Sequence, residues 1–178
     1  MVILRRTKKL EKQLPASSEP LAESDGGLGD WYANRIVVHR QPVLLVVSSR
    51  SLFAALVRAK GVRGLSRRLP DIVESRLTRL GVDRSLIESE VGTLDPVQVA
   101  PTADRSVVGI MVDYARMIPY HLRPGFSDVS LAQAEERLWG NPCYAGKSSD
   151  AVIFPDRKTQ ELLAHRWGLD NKFSRVSQ

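Results

Sequence analysis

The chain has 178 residues, 43% hydrophobic and 26% charged, with a formal net charge of +6, which suits one globular domain with its own core and excludes a fibrous or disordered class. No apolar run reaches the roughly 20 residues of a membrane helix, and the opening MVILRRTKKL places basic residues after a short apolar stretch, the reverse of a secretory signal; a cytoplasmic protein with no membrane contact is expected. Cys143 is the sole cysteine, so an internal disulfide and a cysteine-rich zinc site are both excluded, in keeping with a reducing compartment.

In chain order, residues 2–4 are three aliphatics that are expected to add an edge strand. Residues 13–27, QLPASSEPLAESDGG, hold two prolines, three serines and a double glycine with few large apolar groups. They are expected to form an exposed, mobile loop, either an inserted segment or a lid beside the strand that follows. Residues 28–48 organise the domain. Trp31, Ala33 and Val37 alternate with Tyr32, Asn34 and Val38, the period of a half-buried strand over 31–38. The unbroken apolar run 43–47 predicts the central strand, with residues 39–42 as the turn because Pro42 cannot donate to a ladder.

Residues 49–51 are expected to cap a helix bearing Leu52, Phe53, Leu56 and Val57 and closed by Gly61. A second helix carries Leu69, Ile72, Val73, Leu77 and Leu80, with Pro70 at its first position and Gly81 just past its end. A short helix begins at Asp83, and residues 96–100 read as a further strand. Asp104 is expected to cap the strongest helix, 105–118, whose stripe of Val107, Val108, Met111, Tyr114, Ala115 and Ile118 should lie on the sheet, with Pro119 ending or kinking it. A helix over 130–139 starts from Ser130 and Gln133 at capping-box spacing and stops at Gly140. The last helix, 156–167, is followed by a polar tail over 169–178. The pattern is that of a single α+β domain spanning residues 1–178, with helices packed on a central mixed or antiparallel sheet.

The charge is one-sided. Residues 1–80 hold fifteen Lys and Arg against seven Asp and Glu, whereas residues 81–178 hold eleven against thirteen. Between Arg35 and Arg79 ten basic residues meet only Asp71 and Glu74, an asymmetry that attracts polyanions. Arg63, Arg67, Arg68, Arg76 and Arg79 gather around one helix and form the expected nucleic-acid-binding face, for RNA or DNA. The plain alternative is an Arg-rich solvated surface.

For catalysis, Asp30, Tyr32, Asn34, Arg35 and His39 on one strand, facing Arg105 and Ser106 at a helix start, contain the acid, base and cation that metal-independent cleavage of a phosphodiester needs. The same groups also suit turn amides, ion pairs and core packing. No phosphate loop is present, because Gly26, Gly27 and Gly29 precede a strand rather than a helix. His39, His121 and His165 show no metal-binding spacing, so neither metal nor cofactor is expected. Cys143 reads as a small buried hydrophobe more readily than as a nucleophile.

The segments LGDWYAN (28–34), DRSVVGIMVD (104–113) and NPC (141–143) resemble a family of bacterial proteins built on a domain of unknown function. The resemblance spans most of residues 1–143. It implies a single α+β domain in a bacterial cytoplasm and no particular activity, and it draws attention to Asp30, Trp31, Asn34, Arg105, Ser106 and Asp113. Where that family has Gly-Ser-Met-Asn-Asp, this chain has Gly109-Ile110-Met111-Val112-Asp113, so a polar role at residue 112 is absent. Three readings result: a nucleic-acid-associated protein, a metal-independent nuclease or toxin-like enzyme, and a protein-interaction module whose partner is another protein.

Overall fold

A computed structural model describes residues 1–144 and 152–174. Five strands, β1 (Val2–Arg6), β2 (Trp31–Val38), β3 (Gln41–Ser48), β4 (Ala54–Arg58) and β5 (Val97–Pro101), form one mixed sheet in the order β4-β3-β2-β1-β5. The middle three in chain order make an antiparallel meander, while β1 runs parallel to both β2 and β5. Residues 2–4 therefore lie in an interior strand and not at an edge, and β2 rather than β3 is the middle strand. An all-aliphatic run suits a parallel strand covered on both faces, and Val2 and Leu4 are fully buried.

Helices cover both faces. Helices α1 (Leu65–Leu80), α2 (Arg84–Gly92) and α5 (Pro155–Ser174) share one core with Trp31 and Ala33, whereas α3 (Arg105–His121) and α4 (Asp128–Trp139) share the other with Tyr32, Ile36 and Val38. The alternation along β2 thus sorts residues between two buried faces, not between core and water. Tyr114 and Met111 of α3 are buried against the second face, which is where the apolar stripe of residues 105–118 was expected to sit. A two-stranded ribbon, β6 (Cys143–Tyr144) and β7 (Val152–Ile153), completes the described chain.

Several boundaries differ from the sequence reading. Residues 49–61 are not a helix: Leu52 turns the chain with φ 60°, and residues 54–58 pair with β3. Phe53 and Ala55 face one core and Leu52, Ala54 and Leu56 the other, and a short apolar run buried on both faces carries no period that separates strand from helix. Helix α1 starts five residues before Pro70, which lies inside it. That proline forgoes one backbone bond, but Leu65 and Leu69 are both fully buried, and this packing outweighs the lost bond. Gly81 ends α1 with φ 84°, as expected of a left-handed cap. The α4 cap is Ser127, whose Oγ accepts from the Ser130 amide at 3.1 Å, so Ser130 lies within the first turn. Helix α3 continues through Pro119 to His121. Helix α5 runs to Ser174, so the expected tail is helical to there; residues 175–178 lie outside the described residues.

Outward backbone groups at both sheet edges are met by side chains and, at β5, by a loop amide. At β5, the Ser17 amide donates to the Val99 carbonyl at 2.8 Å, the Val99 amide donates to Ser17 Oγ at 2.9 Å, and Gln98 bonds the Ala22 amide and the Pro20 carbonyl. The 13–27 loop, largely exposed, is thus fastened along an edge strand. At β4, the fully buried Glu135 accepts from the Leu56 amide at 2.7 Å, Arg76 donates to the Leu56 carbonyl at 3.1 Å, and the Trp139 indole donates to the Ala54 carbonyl at 2.7 Å. Unpaired edge groups recruit other chains; here the amide and carbonyl of Val99 and of Leu56, and the Ala54 carbonyl, are occupied.

Candidate functional site

An open cleft of about 600 Å³ lies between residues 21–24 of the loop and the start of α3, floored by Arg5, Asp30 and Tyr32. Two of the expected catalytic residues reach it, but neither is free. The Arg5 guanidinium and the Ser24 hydroxyl both donate to the Asp30 carboxylate, and Tyr32 Oη accepts from the Asp104 amide at 3.1 Å. Both oxygens of the Asp30 carboxylate are thus already held, one by a cation and one by a hydroxyl, an arrangement suited to positioning. Arg5, Ser24 and Arg50, which complete the lining, come from sequence positions that carry no motif, so only the fold assembles them.

The other members of that constellation lie elsewhere. Asn34 Oδ1 accepts from the Thr7 hydroxyl at 2.8 Å. His39, in the β2–β3 turn with φ 47°, bonds the Pro119 and Leu122 carbonyls at 3.1 and 2.8 Å. That is the far end of α3 from Arg105, and 17 residues of helix span about 25 Å. Arg105 is exposed and pairs with neither Asp30 nor Asp113 among the described residues. The strand residues that looked like one catalytic set are therefore distributed along the length of a helix.

Asp104 itself is the α3 cap. Its Oδ1 accepts from the Ser106 hydroxyl at 2.7 Å and the Ser106 amide at 2.8 Å, and these bonds, led by the hydroxyl, hold its carboxyl below the usual range despite the opposing cost of burial. Asp104→Ala is expected to cost about 1 kcal/mol in a denaturant titration at pH 7. Because the folded-state pKa is depressed, this contribution is present above the unfolded value near 3.9 and is lost as pH falls through the lower folded one. The wild-type and variant curves should converge in that acid window.

The five arginines of the expected binding face divide. Arg76 and Arg79 both bond the buried Glu135, and Arg79 also reaches Glu136 at 3.0 Å and stacks over Trp139. Arg68 donates to the Lys60 and Gly61 carbonyls, closing the turn before α1. Arg63 and Arg67 are exposed, but Arg67 borders a different hollow, with Pro70 and Val97, from the one that Arg68 and Arg76 line. Arg76 and Arg79 are thus engaged at the edge of the sheet, while Arg63 and Arg67 face solvent.

A separate basic hollow of about 420 Å³ is lined by Lys8, Lys9, Lys12 and Arg35, with Glu11 and Gln13. Lys8 and Lys9 belong to a single 3-10 turn that follows β1 and is anchored by the fully buried Leu10. That short turn presents its lysines outward, and β2 brings Arg35 alongside. None of the four cations forms an ion pair among the described residues. The TKKL segment was visible in the sequence; its junction with Arg35 was not.

Cys143 is buried, with its sulfur 3.2 Å from the Tyr114 hydroxyl and 3.6 Å from the Asn141 carbonyl. Burial pushes its thiol up, the opposite of what a nucleophile requires. Among the described residues no group of three or more His, Cys, Asp or Glu is arranged to hold a metal ion, and no helix is long and apolar enough to cross a membrane.

No curated protein matches the sequence. Residues 3–158 match the family described as a domain of unknown function, DUF6933. That range takes in the five-stranded sheet apart from Val2, together with the cleft and the basic hollow, and the chain belongs to this family.

Proposed function

We propose that the protein associates with nucleic acid through the hollow formed by Lys8, Lys9, Lys12 and Arg35. The observation that carries this reading is four unpaired cations around one concavity with a single acid, Glu11. Lysines and arginines that face water without partners release condensed counterions when they meet a phosphate chain, and this supplies most sequence-independent affinity. Cations dominate the hollow and its one carboxylate, Glu11, is exposed, so the reading is of binding and not of cleavage.

The test is fluorescence anisotropy with labelled single-stranded RNA, single-stranded DNA and duplex DNA over a range of salt. Replacing Lys8, Lys9 and Lys12 with serine should weaken binding and flatten the plot of log affinity against log salt by about two, from roughly 0.7 to 0.9 per phosphate contact. The melting temperature should hardly move, since all three ammonium groups are solvated. Wild-type protein that binds none of the three polymers at about 50 mM salt, where such contacts are strong, would reject the reading.

A further inference from the structure

At the far end of β2 the molecule carries a second group of cations, arranged around an aromatic ring. Tyr120, in the last turn of α3, is 89% exposed. Arg116 lies one helical turn before it, and Arg123 follows three residues after. The two hydrogen bonds from His39 to the Pro119 and Leu122 carbonyls dock the β2–β3 turn here, bringing in Arg40, which is exposed and has φ 67°. From α4, Arg137 Nη1 reaches His121 Nδ1 at 3.2 Å. The β2–β3 turn and α4 thus both meet the end of α3 that carries the exposed Tyr120. Among the described residues the ion pair these arginines form is the loose contact of Arg116 with Asp113, at 3.8 Å.

A single exposed tyrosine is ordinary; one at a helix end that also gathers exposed arginines from α3, α4 and the β2–β3 turn offers a surface suited to stacking a base while its phosphates are held. Every base has a flat apolar face, so such a platform accepts single strands without sequence preference, whereas paired bases in a duplex are already stacked. The position also fits the basic hollow. Arg35 belongs to that hollow, and Arg40 lies five residues further along the same hairpin, about 17 Å at strand spacing. A flexible chain leaving the lysines would pass the exposed Val37, round the hairpin tip and meet Tyr120.

We infer that Tyr120 is a base-stacking platform that makes the protein a binder of single-stranded nucleic acid, held by Arg40, Arg116, Arg123 and Arg137. This rests on the nucleic-acid reading above and adds the strandedness of the ligand and a second contact point. Anisotropy with a labelled 12-nucleotide single-stranded RNA, the matching single-stranded DNA and the corresponding duplex provides the test. Tyr120→Ala should weaken binding to single strands by roughly 5- to 150-fold, the range expected for one lost base stack. Its salt slope should stay as in the wild type, because no phosphate contact is removed, and Tyr120→Phe should restore affinity.

Equal losses in the RNA and DNA arms would mean stacking alone; a loss confined to RNA would assign the platform to RNA, and one confined to DNA to DNA. Tyr120→Ala protein that binds single strands as tightly as wild type, while the triple lysine variant has lost affinity, would overturn the platform and leave the basic hollow standing. An equal loss on the duplex would also overturn it, since the ring would then not be reading unpaired bases. Failure of the wild-type protein to bind any of the polymers removes both.

Discussion

Replacing Glu135 with alanine is expected to destabilise the protein by about 3 to 5 kcal/mol, as removal of one partner from a buried ionic group generally does. Glu135 is fully buried and serves three donors at once: the Leu56 amide, Arg76 Nε at 3.0 Å and Arg79 Nη1. The two guanidinium groups come from α1 on one face of the sheet, while Glu135 comes from α4 on the other. The cluster therefore clasps the two helical layers across the edge strand β4. Without the carboxylate Arg76 loses its counter-charge and Arg79 keeps only Glu136, and the Leu56 amide opens toward any other chain. A chemical denaturation curve gives the stability, and size-exclusion chromatography should show concentration-dependent association through the uncovered edge. Glu135→Gln retains an acceptor for the amide but not the charge, and should fall between. A midpoint unchanged in both variants would mean that the arginines are solvated well enough to need no partner.

Trp31→Ala should be comparably damaging, at about 3 to 5 kcal/mol for loss of a large buried aromatic. Trp31 is 1% exposed and opens β2, paired with Leu4 on one side and Ser48 on the other, within the core shared with α1, α2 and α5. Its indole nitrogen is buried without a hydrogen-bond partner among the described residues, a cost of about 1 to 3 kcal/mol that the native packing already absorbs. Trp31→Phe removes that orphaned donor while keeping a ring in the core, so it should recover most of the stability lost in the alanine variant. Thermal unfolding of the three proteins provides the comparison. An alanine variant that melts with the wild type would place this side chain outside the core.

Local signals were read accurately where they are complete within a few residues. Asp104 two residues before Ser106, followed by a stripe at helical spacing, defines α3 almost end to end, because a cap and an apolar face are both properties of adjacent sequence. Asp83 and Gly81 mark the junction of α1 and α2 for the same reason. The failure at β4 is equally physical. Leu52, Phe53, Ala54, Ala55, Leu56 and Val57 form an unbroken apolar run, and its two-sided burial erases the alternation by which a strand would be recognised. Ser127 and Ser130, three residues apart, offer the same capping chemistry, and the fold selects Ser127.

The candidate sites were less legible than the fold. A count of charges along the chain sees Arg76 and Arg79 as cations but cannot see Glu135, some 56 residues after Arg79, arriving from the other face of the sheet to neutralise them. His39 and Asp30 share a strand in sequence, yet the strand's own length separates them, and each is tied to a different partner. By contrast Lys8, Lys9 and Lys12 stay exposed because a single 3-10 turn with Leu10 as its anchor leaves no room to bury them.

From the sequence alone come the α+β class, the two strands around residue 40, the helix of residues 105–118 and the absence of any long apolar segment, since each depends on the order of polar and apolar residues over short windows. Tertiary structure alone decided that β1 is an interior parallel strand, that side chains meet outward backbone groups at both sheet edges, and which arginines are spent on Glu135 and which face solvent. These depend on contacts between residues tens of positions apart, and the energy of such a contact is set by burial and by the partner that arrives, neither of which is written at either position.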